Sequence, residues 1–209
     1  MNLIIFGATS IVGMQLVKQA LYNGHHVKAY GKNVFTSNLP ESKEVEVIQG
    51  ALFDGYEVNK AIKGCDAVLT ALGGNVDGLD LTRSLGIKNI VAQMQKLHVQ
   101  RIVTLSGIGI LNADEDDLMM DTPEFSPEFI PVSLEHLKAY NFLKESDLNW
   151  TLVCAPDIID AAPTGIFTTK AAYLPAKNKF RITSGDLAMF MLKEATGDEY
   201  MKQKVGISN

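Results

Sequence analysis

Seven residues near the start of the chain carry the clearest chemical signature. Gly7-Ala8-Thr9-Ser10-Ile11-Val12-Gly13 follows a short apolar run and opens a helical pattern. A loop that holds a phosphate at such a point needs a tight turn, backbone N–H groups open to the anion, and close packing of helix on strand. Gly7 suits the turn and Gly13 the packing. The amides at a helix N-terminus, with their partial positive charge, favour an anion. Thr9 and Ser10 add hydroxyl donors. The loop, comprising Gly7, Thr9, Ser10, Ile11, Val12 and Gly13, is expected to bind the phosphates of a dinucleotide.

Charge narrows the ligand. A site for NAD usually places Asp or Glu about 20 residues beyond the glycines, bonded to the ribose 2′-hydroxyl. The first forty residues contain no Asp or Glu, and their only charged side chains are Lys18, Lys28 and Lys32. Lys32 lies just past the second strand-like segment, where a 2′-phosphate would be held. NADP, used as NADPH, is the expected cofactor.

Other candidates for chemistry are sparser. Ser106 ends a strand-like run. Tyr140-Asn141-Phe142-Leu143-Lys144 has the Tyr-x-x-x-Lys spacing in which a lysine lowers the pKa of a tyrosine acid, although a helix tyrosine at that spacing also reads as a packing residue. Asp114, Glu115, Asp116, Asp117, Asp121, Glu124 and Glu128 fall in a stretch with no Lys or Arg between Arg101 and Lys138. That stretch reads either as a solvated loop or as a lid that disfavours anionic acceptors, with Met119-Met120 as gate or core. Cys65 and Cys154 form no CxxC or Cys/His cluster and read as small buried hydrophobes. The histidines, His25, His26, His98 and His136, lack metal-ligand spacing, so no metal is expected.

The elements that must position these residues alternate along the chain. Continuous apolar runs at 3–6, 26–30, 45–48, 67–72, 102–105 and 150–154 read as buried strands. Helical periodicity covers 11–22, 57–63, 80–97 and 134–144. Residues 166–169 and 180–183 read as a hairpin, and Ser184 as the N-cap of a last helix through about 195. Buried strands separated by helices imply an α/β fold, a Rossmann-type doubly wound parallel sheet with a small C-terminal elaboration. Ligands of such sheets bind beyond the C-terminal strand ends, which puts Gly7, Gly73 and Ser106 on one rim. Substrate-side elements are expected at about 107–131 and 157–183.

The 209 residues carry a net charge of −5. That length suits one NAD(P)-binding domain. The negative balance argues against a nucleic-acid partner. No apolar run reaches the ~18 residues of a membrane span, and the first residues lack the basic region of a signal peptide. A cytoplasmic monomer or weak homodimer acting on a small-molecule acceptor is the natural expectation.

The chain resembles the atypical short-chain dehydrogenases, in particular the NmrA-like NAD(P)-binding group that includes biliverdin IXβ/flavin reductase. The likeness is carried by Phe6-Gly7-Ala8-Thr9, Gly64-Cys65-Asp66-Ala67-Val68, Leu72-Gly73 and Asn89-Ile90-Val91-Ala92. It continues through Leu143-Lys144-Glu145-Ser146, Pro163-Thr164-Gly165 and the segment from Asp186 to Leu192. The resemblance implies Leu52 near adenine, Leu72 and Gly73 at the ribose region, Lys32 in place of an arginine at the 2′-phosphate, and Ser106 and Pro156 at the nicotinamide end. It sets the catalytic tyrosine and lysine positions near Val132 and His136, one to two turns before Tyr140 and Lys144. His136 would then stand beside the nicotinamide ribose. Asp157 stands on the substrate side where the flavin reductases have histidine, and Ser10 replaces a middle glycine. A flavin such as FMN, or a quinone-like acceptor, is the implied substrate. A regulator that binds NADP without turning it over, and a sugar-nucleotide epimerase, are the competing readings.

Overall fold

The computed structural model describes residues 1–36, 38–176 and 179–209. Its centre is an eight-stranded sheet in the order β3-β2-β1-β4-β5-β6-β10-β8. The strands are β1 (Asn2–Phe6), β2 (His26–Gly31), β3 (Val45–Gln49), β4 (Ala67–Thr70), β5 (Arg101–Gly107), β6 (Asn149–Ala155), β8 (Thr168–Ala171) and β10 (Gln203–Ser208). All neighbours are parallel except β8, which runs antiparallel to β10. A separate parallel pair joins β7 (Asp157–Ile159) to β9 (Arg181–Thr183). The first six strands follow the Rossmann order.

Strand alternation builds two cores from one sheet. Leu3 and Ile5 face α1 (Ile11–Tyr22) and α5 (Ser184–Thr196), whereas Ile4 and Phe6 face α2 (Gly55–Ile62), α3 (Thr82–Leu97) and α4 (Ile130–Lys144). All four β1 side chains are fully buried. At roughly 1.5–3 kcal/mol for each such side chain, this one short strand anchors both layers. The same alternation places Thr70 of β4 and Thr104 and Ser106 of β5 on the face covered by α3 and α4. Thr70 and Thr104 are register partners there.

Three sequence expectations need correction. Residues 166–169 and 180–183 do not form a hairpin: Thr168–Ala171 pairs with β10, and Arg181–Thr183 with β7. Both partners lie far away in sequence, beyond the reach of a turn-based reading. The N-cap of α5 is Thr183, whose hydroxyl accepts from the Asp186 amide; Ser184 already lies in the helix and donates to the Ala161 carbonyl. Helix α4 begins at Ile130, about one turn before the expected 134, because Pro131 fits a first helical turn.

The acidic segment folds back on the protein. Ile110, Leu111 and Met120 are buried, and Met119 packs against the α3–α4 core. Asp114 accepts from the amides of Asp116 and Asp117, and Asp121 from that of Leu118, so these carboxylates cap their own turns. Among the described residues no helix is long and apolar enough to cross a membrane.

Candidate cofactor cleft and reaction end

The β1–α1 junction is built around two glycines. Gly7 has φ +78°, and a Cβ there would lie 2.4 Å from the Ala71 carbonyl oxygen. A Cβ on Gly13 would lie 2.1 Å from the Gly7 carbonyl oxygen and within 3 Å of the Ala8 backbone. Only hydrogen fits either position, so α1 approaches β1 as closely as backbone permits. Ser10 caps α1, its Oγ accepting from the Gly13 amide at 3.0 Å. The same hydroxyl donates toward the carbonyls of Gly7 and Ala71, at 2.9 and 3.1 Å. Ser10 therefore shapes the loop and has no proton left for a phosphate. The first-turn amides of Ile11 and Val12 remain as helix-start donors.

In front of this loop opens a cleft of about 800 Å3, within the range of ligand sites. Gly7, Thr9, Ser10, Lys32, Leu52, Leu72 and Gly73 line it. Val12 sits in the core beneath, and Ile11 at the helix start is partly exposed. The sequence reading missed further lining residues, among them Tyr30, Gln49, Phe53, Glu57 and Thr82. Glu57 accepts from the Ala51 amide and holds the 50–54 turn. Among the described residues the buried Tyr30 hydroxyl has no hydrogen-bond partner; burial first, then Glu57 and Asp54, push its pKa up to about 12.

A smaller pocket lies at the other end. Ser106 and His136 line it together with Thr70, Thr104 and Arg83, and Leu72 borders both this pocket and the large cleft. His136 reaches the end of β5, where a Cβ on Gly107 would be 3.3 Å from its Cδ2. Burial, then the neighbouring Arg83 charge, push the His136 pKa down to about 3. A neutral imidazole can donate from one ring nitrogen and accept at the other. Arg83 donates to the carbonyls of Gly74 and Asn75 at 2.9 and 3.0 Å, closing the turn after β4. The sequence offered a signal for Arg83, as the single cation in the first turn of the helix that follows Gly73-Gly74-Asn75.

The remaining candidates stand apart. Pro156 is buried and Asp157 exposed on β7 opposite Arg181; neither borders the cleft or the pocket. Tyr140 packs edge-on against Trp150 with ring centroids 5.6 Å apart, under the Lys204 ammonium. Lys144 is exposed at the end of α4. Tyr140 and Lys144 therefore do not form an acid pair at the Ser106–His136 pocket. Cys65 and Cys154 are both buried, and burial pushes their thiols up to about 11 and 12.

A family profile described as NAD(P)H-binding matches residues 7–198. The chain belongs to this NAD(P)H-binding family. The match begins at the loop glycine and runs past α5, so the family's shared fold takes in the cleft and the pocket. The uncharacterized protein YwnB of Bacillus subtilis strain 168 is 25% identical over 98% of this chain and 96% of its own length. A Streptococcus pneumoniae TIGR4 protein with the working name NADH-flavin reductase has the same fold, with a TM-score of 0.86 and 23% identity, over 100% of this chain and 99% of its own. A short-chain dehydrogenase/reductase of Veillonella parvula, solved in complex with NADP, superposes with a TM-score of 0.79 at 17% identity, covering 100% and 94%.

Proposed function

We propose that the protein is an NADPH-dependent reductase that delivers hydride to a flavin or quinone-like acceptor. One observation carries this reading. The glycine loop and Lys32 share a cleft whose wall at Leu72 is also the wall of the Ser106–His136 pocket. Phosphate-binding and reaction ends are thereby joined by one rim of the sheet.

The residues present fit the cofactor. The Gly7–Gly13 approach leaves a cradle that any Cβ would fill, and the helix start offers Ile11 and Val12 amides to a pyrophosphate. Lys32 would meet the 2′-phosphate, and Leu52 the adenine. When bound, reduced nicotinamide supplies the hydride. The chain's own part is orientation, exclusion of water by Leu72, Ile87 and Leu152, and a hydrogen bond from Ser106 or neutral His136 to the acceptor. An acceptor that needs no strong protein acid suits such a site. The names of the Streptococcus and Veillonella neighbours agree with this class, and narrower kinship with NmrA-like proteins is part of the same reading.

A second reading has its own support. Val132 occupies the position where the family resemblance expects a phenol acid, and His136 is neutral; a protein that binds NADP as a signal needs no proton donor. NADPH titration alongside NADPH oxidation with FMN, FAD, riboflavin and quinones separates the two. Turnover that falls on Ser106→Ala supports the reductase. Tight NADPH binding with no turnover on any of these acceptors supports the sensor.

A further inference from the structure

The pocket behind Ser106 has a feature that hydride transfer alone does not use. Thr70, Thr104 and Ser106 are 0%, 3% and 4% exposed. Among the described residues the Thr70 and Thr104 hydroxyls have no hydrogen-bond partner, and the Ser106 hydroxyl has only the weak Cys154 thiol. Buried hydroxyls without partners are rare, because each forfeits its bonds to water. Here three share one face of two paired strands: Thr70 opposite Thr104, and Ser106 two residues further toward the rim. They enclose about 10 Å3 of free space, closed by Ile87, Ala139 and Leu152 and flanked by His136 and Arg83. That is about the room one water needs, and a water needs two to four polar partners.

Building on the reductase reading, we propose that this pocket is a bound-water site that delivers the proton taken up together with the hydride, with Thr70 and Thr104 as its inner wall. The step balances without an added reagent. The Ser106 O–H bond breaks as its proton forms the new bond to the reduced acceptor. The bound water gives a proton to Ser106 Oγ. One nitrogen of His136 returns a proton to the resulting hydroxide, while its other nitrogen takes one from solvent. The net change is one solvent proton consumed, with water, serine and histidine restored. A neutral, half-buried imidazole at the pocket mouth can do this, since one nitrogen donates while the other accepts. Thr70 and Thr104 act as positioning residues that hold the water within reach of Ser106.

The test begins with a crystal structure of the protein with NADPH bound. A water bonded to at least two of the three hydroxyls is expected, and an empty or side-chain-filled pocket overturns the proposal. Thr104→Val replaces the hydroxyl with a methyl of the same shape. Loss of the water and a lowered Tm are expected; a higher Tm means that the hydroxyl was dry, and overturns it. In single-turnover NADPH oxidation by FMN or menadione, Thr104→Val should slow the reaction about tenfold and enlarge the solvent deuterium isotope effect, with the NADPH Kd unchanged. Thr104→Ser should restore the rate. An unchanged rate in the valine variant refutes proton delivery. If neither acceptor is reduced by the wild-type protein, the reductase reading and the delivery role fall together, while the crystallographic water still decides the binding site.

Discussion

Replacing Gly13 by alanine is the sharpest test of the phosphate loop. The new methyl would lie 2.1 Å from the Gly7 carbonyl oxygen and 2.8 Å from the Ala8 Cα, both backbone atoms that cannot rotate away. Ordinary contact starts near 3.4 Å, so the start of α1 must lift by about 1 Å. Overpacking of this kind costs about 1–3 kcal/mol of stability. The same lift carries the Ile11 and Val12 amides out of the narrow 2.7–3.2 Å window of an N–H···O bond. Losing one such bond to a charged phosphate costs about 1.5–3 kcal/mol, which is roughly a 10- to 100-fold rise in NADPH Kd. Fluorescence titration of NADPH, paired with thermal unfolding, reads both effects. Gly24→Ala is the control just beyond the far end of the same helix: Gly24 has φ +74° but open space around it. It should lose about 1 kcal/mol of stability to left-handed strain and leave NADPH affinity unchanged. Wild-type NADPH affinity in Gly13→Ala would refute the reasoning, because the close approach would then have nothing to do with the ligand.

Lys32→Glu should weaken NADPH by about tenfold or more and NADH far less, since only NADPH carries the 2′-phosphate; equal losses in paired titrations would remove Lys32 from cofactor choice. The His136 imidazole should stay neutral from pH 8 to pH 5 by nitrogen NMR, because burial and Arg83 hold its pKa down near 3; a midpoint between 6 and 7 would contradict the pocket's polarity. With its folded pKa lowered, His136 costs stability as pH falls below its ordinary value of about 6.5, so His136→Gln should flatten that part of a Tm–pH curve. Asp186 works in the opposite sense. Burial alone would raise its pKa, but bonds from Thr164, Gly165 and Asn209 more than offset this and hold the carboxyl below its usual range. Its stabilising contribution is present above the unfolded value of about 4 and is lost as pH falls through the folded one. The Tm gap between wild type and Asp186→Asn should therefore shrink below about pH 4, and a constant gap would rule out the charged network.

Much of this molecule is legible in its sequence where the determining forces are local. The helix Ile11–Tyr22 has the expected bounds, because Ser10 caps one end and Asn23-Gly24 closes the other. The buried strands of the first half announce themselves as unbroken apolar runs. What escaped is set by distant partners. Gln203–Ser208 alternates Lys204, Val205, Gly206, Ile207, with Val205 and Ile207 fully buried, yet as a short run flanked by polar residues it does not stand out. Thr168–Ala171 is polar and mostly exposed, and only β10 makes it a strand. At the site, cofactor-side positions follow from the glycine loop. Thr70 and Thr104 do not, because their importance comes from two strands and two helices meeting over one small volume. Ser10 borders the cleft, as its place in the loop suggests, and what the residue type does not show is that its hydroxyl caps α1.

The ties around Asp186 bear on how far the 157–183 region could be moved as a part. Asn209 donates from Nδ2 to the Ile166 carbonyl and to Asp186, accepts at Oδ1 from the Thr183 amide, and donates its own amide to the Arg181 carbonyl. Asp186 in turn receives the Thr164 and Gly165 amides. The 157–183 region is therefore fastened from outside it in sequence, with Asp186 on α5 and Asn209 after β10 among its ties. A chimera that transplants only the contiguous segment into a related scaffold would arrive without its fastenings. The exchangeable unit is discontinuous, and a swap of this region should carry Asp186 and Asn209 along with the segment.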